Sequence, residues 1–229
     1  MKIGITKFPG TNNETDVARV LKSLEVDYEY IFPDDVEIFQ EMDAIVLAGG
    51  FSYGDYLRPG AIAAHSAIIN ELKDFVEKER FIIGICNGFQ ILCETNILPG
   101  ILTTNTSTRF ISKWVYITTE ETTSPLLDGM KDKVLKIPIA HFDGRYYDLP
   151  EKIKELKQSK LIAFRYCDNE GTTTQESNLN GSLKNIAGIV NKKGNVLGLM
   201  PHPERASFNY LSSEDGKMIF TNLIGELKC

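Results

Sequence analysis

Histidine and cysteine are scarce in this chain, and the scarcity narrows its chemistry. There are three histidines (His65, His141, His202) and four cysteines (Cys86, Cys93, Cys167, Cys229) in 229 residues. No two cysteines form a C-x-x-C pair, and no ligand cluster is found, so no metal is expected. Basic residues are not in excess either: 25 against 31 acidic ones leave a net charge of -6. The short mixed stretches "NKKGN" and "EKIKELKQSK" read as solvated faces, not as a nucleic-acid stripe. Long apolar runs are missing. The most apolar window, Phe81 to Leu102, carries Asn87, Gln90, Glu94 and Asn96, which makes it a poor membrane span. The start "MKIGITKFPG" lacks the basic and then apolar order of a signal peptide. A reducing, cytoplasmic setting is therefore expected, and the N-x-S/T triplets at Asn13, Asn105 and Asn180 read as chance matches. G-x-G-x-x-G and G-x-x-x-x-G-K-[ST] are both absent, which removes a dinucleotide fingerprint and an ATP phosphate loop.

What is present is an alternation. In the first half "MKIGITKF", "VDYEYIF", "AIVLAGG" and "FIIGIC" read as strands. The last two are apolar enough to be buried on both faces, as parallel strands are. Between and after them, "VARVLKSL", "AIAAHSAIINELKDFVEK" and "GFQILCETN" have helical spacing. This predicts an α/β fold with an open, mostly parallel sheet and helices on both faces. The second half adds longer, partly antiparallel strands in "RFISKWVYITTE" and "VLKIPIAHFDGRYY", a hairpin over "IAGIVNKKGNVLGLM", and a closing amphipathic helix. No linker divides the chain, so residues 1–229 are expected to form one domain. The polar stretch 168–181 reads as a surface loop.

Three motifs carry the candidate chemistry. "GICNGFQIL" places Cys86 between Gly84 and Gly88, where a strand gives way to a helix. Small residues there allow a sharp turn that pushes a nucleophile out above the sheet. The helix N-terminus favours a thiolate, and the Asn87 N–H can face an oxyanion. The alternative is an inert buried thiol, as Cys93 reads inside the following helix. "PHPER" holds His202 and Glu204 two residues apart in a segment that proline makes extended, so both can point one way and the acid can orient the imidazole. A proline-rich surface turn is the alternative. In "LAGGFSYGD" a buried strand ends in Gly49 and Gly50, which let backbone N–H groups turn toward an anion. His65, inside a predicted helix, reads as structural, and His141 has no clear part.

Together "GICNGFQIL" and "PHPE" resemble the class I, triad-type glutamine amidotransferases. "GGFSYGDYLRPGAIA", "IPIAHFDGRYY", "NGSLKNIAGIVN" and "GNVLGLMPHPERA" extend the likeness to the glutaminase subunits of phosphoribosylformylglycinamidine synthases, over nearly the whole chain. The resemblance implies the flavodoxin-like amidotransferase fold with an added antiparallel portion. It also implies that Cys86 attacks the glutamine side-chain amide, His202 moves the proton, and Glu204 holds His202. The N–H groups of Phe51 and Asn87 would form the oxyanion hole, with Gly49 and Gly50 behind Phe51. Gln90, Arg109 and Phe110 would hold glutamine. No cofactor is implied in this chain: ATP and Mg belong to a partner synthase subunit, which a small accessory subunit often joins. "AHFDGRYY" would lie near that partner, so His141 is expected to serve the interface, and "RFISKWVYI" with "AHFDGRYY" is the expected partner-facing surface.

The chain departs from the family where "GTNNETD" puts Asn13 at a position usually held by cysteine, in "AHFDG" with Phe142 and Asp143, and in the long 168–181 loop. Other readings are weaker. Intracellular cysteine-protease and glyoxalase-like proteins share the elbow, but there a histidine commonly follows the cysteine, and here Asn87 does. An inactive relative should show a broken triad. A glutaminase serving another acceptor should lack the "GGFSYGDYLR" and "NGSLKNIAGIVN" strings.

Overall fold

Short runs of β-branched and aliphatic residues build the centre of the molecule. The structure, a computed structural model, describes residues 1–228; Cys229 lies outside them. The first half runs β1 (Lys2–Thr6), α1 (Glu14–Ser23), β2 (Asp27–Ile31), α2 (Val36–Phe39), β3 (Ala44–Leu47), α3 (Ile68–Glu77), β4 (Phe81–Ile85) and α4 (Asn87–Glu94). The second half runs β5 (Ile101–Thr103), β6 (Ile111–Thr119), β7 (Val134–His141), β8 (Arg145–Tyr147), α5 (Pro150–Gln158), β9 (Ile162–Cys167), β10 (Ile186–Val190), β11 (Val196–Leu199) and α6 (Lys217–Glu226).

Nine strands form one sheet in the order β2-β1-β3-β4-β11-β10-β9-β6-β7, and β5 pairs with β8 apart from it. From β2 to β11 every pairing is parallel; from β11 to β7 every pairing is antiparallel. β3 and β11 are buried at every residue, as strands covered on both faces must be. β7 instead alternates, with every second side chain buried. The chain moves one way from β1 to β2 and the other way from β3 to β4. Right-handed crossovers therefore put α1 and α3 on opposite faces. α1 packs with α6, and α2 with α3. The reversal makes a crevice beyond the carboxyl ends of β1 and β3, where open α/β sheets bind ligands.

The antiparallel half folds back toward that crevice. β7 is the sheet's edge, yet its outer backbone groups are not left to solvent. Lys136 N donates to Asp215 Oδ2 at 2.7 Å, and Pro138 O accepts the His202 N–H at 2.8 Å. Pro138 has no N–H to lose on that edge, which is where a strand tolerates proline.

Two expectations change. The predicted helix over 61–78 is broken. Ala63–His65 form a 3₁₀ turn, Ser66 is extended (ψ 158°) with its hydroxyl donating to Ala63 O at 2.7 Å, and α3 starts at Ile68. His65 thus sits exposed on a turn. The loop 168–181 is not all surface: Asn180 is fully buried, its Nδ2 donating to Gly144 O at 2.8 Å and to Tyr166 Oη at 3.2 Å. A buried amide needs such partners, and it ties the loop's end to the core. The other two glycosylation triplets also start at buried residues, Asn13 and Asn105. No helix among the described residues is long and apolar enough to cross a membrane.

Candidate active site

Cys86 is the first residue after β4, and its backbone is strained, with φ 51° and ψ -104°. Such a conformation costs about 1–3 kcal/mol in a non-glycine residue and persists only where its surroundings enforce it. The flanking glycines show how they do so. A Cβ at Gly88 would stand 2.1 Å from Leu47 O, and one at Gly84 would stand 2.4 Å from Leu92 Cδ1 and 2.9 Å from the Gly88 backbone. The elbow can turn this tightly, and α4 can lie this close to β3 and β4, only with glycine at both places. The Cys86 N–H is anchored on Leu199 O at 2.8 Å, and its thiol lies 3.8 Å from Ala140 O of β7. Asn87 opens α4, so its N–H has no acceptor within the helix. Cys93, nearly two helix turns further on, is buried with its thiol toward Pro99 O at 3.6 Å. Burial, and then the charge of Glu94, hold that thiol well above its ordinary pKa, which suits an inert core residue.

His202 follows β11 and reaches the same edge of the sheet. It is 1% exposed, and its Nδ1–H donates to Glu204 Oε1 at 2.6 Å; Glu204 is equally buried. The pair forms, but not on an extended strand. Pro203–Ala206 make a 3₁₀ turn, so the carboxylate curls back under the ring. Gly216 lies beneath that turn, where a Cβ would be 2.2 Å from Pro203 O. Burial by itself pushes the imidazolium down. The charges of Glu204 and then Cys86 outweigh it and raise His202 to about 10. His202 is therefore a cation at neutral pH, and its Nε2 is buried without a hydrogen-bond partner. Gly49 brings the groups together: a Cβ there would lie 2.6 Å from Asn13 Nδ2, 3.0 Å from His202 Cε1 and 3.4 Å from Cys86 Cβ.

The other predicted residues are placed less simply. The Phe51 N–H donates to Gly10 O at 3.0 Å, while Gly50 before it has φ 144°. Asn87 Oδ1 accepts the Ser52 N–H at 3.1 Å, and Asn87 Nδ2 donates to Gln90 Oε1 at 2.9 Å. Gln90 is buried, with Nε2 donating to Asp143 O at 2.7 Å. Phe110 is exposed, its ring 6.4 Å from that of Phe51; Arg109 is exposed beside it. His141 does not face outward as an interface residue would: it is 3% exposed, while Phe142 next to it is 42% exposed. β7 alternates, and His141 falls on its buried face.

Two residues of the site were not singled out from sequence. Asn13, after β1, has Nδ2 3.0 Å from His202 Nδ1, and its Oδ1 accepts from Arg205 Nη2 at 2.6 Å. The departure from cysteine at this position was the one visible signal. Asp55 is half-buried near Asn87 Nδ2, at 3.5 Å. Burial, and then the charge of Asp143, raise it to about 6. Among the described residues no group of His, Cys, Asp and Glu could hold a metal ion.

A nucleophile on a strained elbow, an imidazolium opposite it and a buried carboxylate behind that ring can cleave an amide through a covalent acyl intermediate. Comparison with known proteins points the same way. Residues 1–219 match the family described as CobB/CobQ-like glutamine amidotransferase domain. The phosphoribosylformylglycinamidine synthase subunit PurQ of Aquifex aeolicus is 46% identical over 228 residues, covering 99% of this chain and 100% of that one. The subunit of the same name from Chlorobaculum tepidum is 47% identical over 227 residues, covering 98% and 97%. The solved structure of PurLQS from Thermotoga maritima superposes with a TM-score of 0.86 at 37% identity, covering 99% of this chain and 98% of its counterpart.

Proposed function

Because the chain belongs to the family of CobB/CobQ-like glutamine amidotransferase domains, we propose that it is the glutaminase subunit of a phosphoribosylformylglycinamidine synthase. It hydrolyses glutamine to glutamate and ammonia. The ammonia goes to a separate ATP-dependent synthase subunit that converts formylglycinamide ribonucleotide to formylglycinamidine ribonucleotide in purine biosynthesis. The observation that carries this reading is the buried His202–Glu204 pair at the Cys86 elbow, in a chain that matches such subunits from end to end. The assembly named for the Thermotoga maritima structure supports a complex with the synthase subunit and a small accessory subunit. ATP and magnesium act on the synthase subunit.

On this reading each group has a role. The Cys86 sulfur attacks the amide carbon of glutamine. The Asn87 N–H at the start of α4 faces the oxyanion that forms. The Phe51 N–H joins it once the Gly50–Phe51 peptide turns away from Gly10 O, a rotation that the glycine permits. His202, already an imidazolium, gives its Nε2 proton to the departing nitrogen as the adduct collapses. Water then attacks the thioester, with neutral His202 as base, and glutamate leaves. Glu204 keeps the ring oriented and charged. Gly49, Gly50 and Gln90 are the residues expected to hold glutamine, with the exposed Arg109 and Phe110 beside them.

The test is glutamate release by the purified chain, with and without the synthase subunits, ATP and formylglycinamide ribonucleotide. Release is expected to rise on adding them and to vanish in Cys86→Ala, while ammonium still supports synthesis by the mutant complex. Glutamine-dependent synthesis that survives Cys86→Ala would overturn the assignment.

A further inference from the structure

One of the three histidines is buried without a part in these steps. Asn105 grips the Nδ1 edge of His141: its Oδ1 lies 3.1 Å from Nδ1 and accepts the Gly144 N–H at 3.2 Å. The other end of the same amide is occupied, because Nδ2 donates to the carbonyls of Arg109 and His141 at 2.9 and 3.0 Å. The amide therefore keeps its oxygen toward the ring, and Nδ1 must carry the proton. Nε2 is left as a bare lone pair, and it is buried with no hydrogen-bond partner. Buried acceptors are almost always paired, so an unpaired one calls for an explanation. Gly144 packs directly against the ring: a Cβ there would stand 2.2 Å from Nδ1 and Cε1.

The ring is carried by the strand that touches the reacting groups. His141 ends β7, the strand whose Pro138 O holds the His202 N–H and whose Ala140 O lies 3.8 Å from the Cys86 thiol. Burial, and then the charge of His202, hold the His141 ring down at about 3. It is neutral at any working pH, and it accepts a hydrogen bond without taking the proton.

We infer that His141 retains the product of the reaction: its Nε2 accepts a hydrogen bond from the ammonia expelled at Cys86 and holds it inside the protein for transfer. This rests on the glutaminase reading above. When the tetrahedral adduct collapses, the carbon–nitrogen bond breaks and its electron pair stays on nitrogen. His202 Nε2 supplies the proton, so the product is neutral NH₃ and neutral His202. One N–H of NH₃ then points at His141 Nε2, and no proton moves to it. An ammonium ion would be lost to the synthase as a nucleophile, and a non-basic acceptor leaves the nitrogen lone pair free.

The experiment uses the complex with the synthase subunits. His141→Asn keeps an N–H for Asn105 but has no atom in the place of Nε2; His141→Gln restores an acceptor there. In His141→Asn, glutamate release is expected to stay within about threefold of wild type, while product formed per glutamate falls at least about threefold. The missing ammonia is counted by an enzymatic trap in the medium, and His141→Gln recovers part of the yield. A folded His141→Asn with an unchanged ratio overturns the inference. So does a loss of glutamate release with the ratio intact, which would make His141 a glutamine-orienting group. A second measurement needs neither a variant of His141 nor the acceptor substrate. In ¹⁵N-histidine-labelled Cys86→Ser chain, the His141 Nε2 signal is expected at the unprotonated position and should shift on titration with ammonia in mildly alkaline buffer; no shift overturns the inference. A wild-type complex that makes no product from glutamine would sink the proposed function instead, and the titration would still decide on His141.

Discussion

Nδ1 of His202 has two close neighbours, Glu204 Oε1 at 2.6 Å and Asn13 Nδ2 at 3.0 Å. Arg205 donates to the Asn13 oxygen, which leaves the amide nitrogen beside the ring as a second donor. A protonated Nδ1 cannot accept from it, so Glu204 is the acceptor and the anion at this ring position. The imidazolium therefore depends on Glu204 and on the charge of Cys86. In Glu204→Gln the His202 pKa is expected to fall from about 10 toward its ordinary 6.5. The alkaline limb of kcat/KM for glutamate release should then move to lower pH, because the group that protonates the leaving nitrogen is lost sooner. His202→Ala removes that group outright, so its loss of rate should exceed that of Glu204→Gln by about tenfold or more. A pH–rate profile of both variants checks this. An unmoved alkaline limb in Glu204→Gln would mean that the carboxylate does not hold the charge.

At the scale of elements, the site depends on how closely α4 approaches the sheet. Gly88→Ala would press a methyl into Leu47 O, a backbone atom that cannot swing away. Overpacking of this kind costs about 1–3 kcal/mol, and the upper end is expected here. That corresponds to a fall in Tm of roughly 6–12 °C, measured by calorimetry, with glutamate release lost as the elbow opens. The elbow was legible in the sequence because both its determinants are local: glycines at fixed offsets and an apolar run before them. The parallel strands were legible for the same reason. The break at Ser66 was not, since Ala61 to Glu77 keeps a helical apolar period through the turn, and only a hydroxyl bonded to Ala63 O marks the stop. The return of β7 over the site was hidden as well. It shows in the bonds of Lys136, Pro138 and Ala140 to residues 79, 64 and 54 positions away, and no periodicity encodes those. The parts played by Asn13 and Asn105 were hidden because the side chains they meet are far off in sequence, His202 and Arg205 for the one and His141 for the other.

For the whole molecule, two buried histidines pull stability in opposite directions with pH. His141 is held down at about 3, with 6.5 as its ordinary value. Between these values the unfolded chain binds the extra proton, so this contribution is complete above about 6.5 and is lost as pH falls toward 3. His202 is raised to about 10. Its contribution is complete below about 6.5 and is lost as pH rises through 10. The part of the unfolding free energy due to these two rings should peak near pH 6.5. Urea midpoints across pH are expected to show the acid limb flattened in His141→Asn and the alkaline limb flattened in His202→Gln. A limb unchanged by its own substitution would contradict the shift behind it. Finally, the central strand of the sheet, β11, is also the last to be made. The acid and its carboxylate follow directly after it, and their neighbour Asn13 waits near the opposite terminus. Until residue 204 has left the ribosome the thiol has no proton donor and the sheet has no middle. A half-made chain is thus unable to waste glutamine, and the same long-range closure makes folding slow and dependent on completed synthesis.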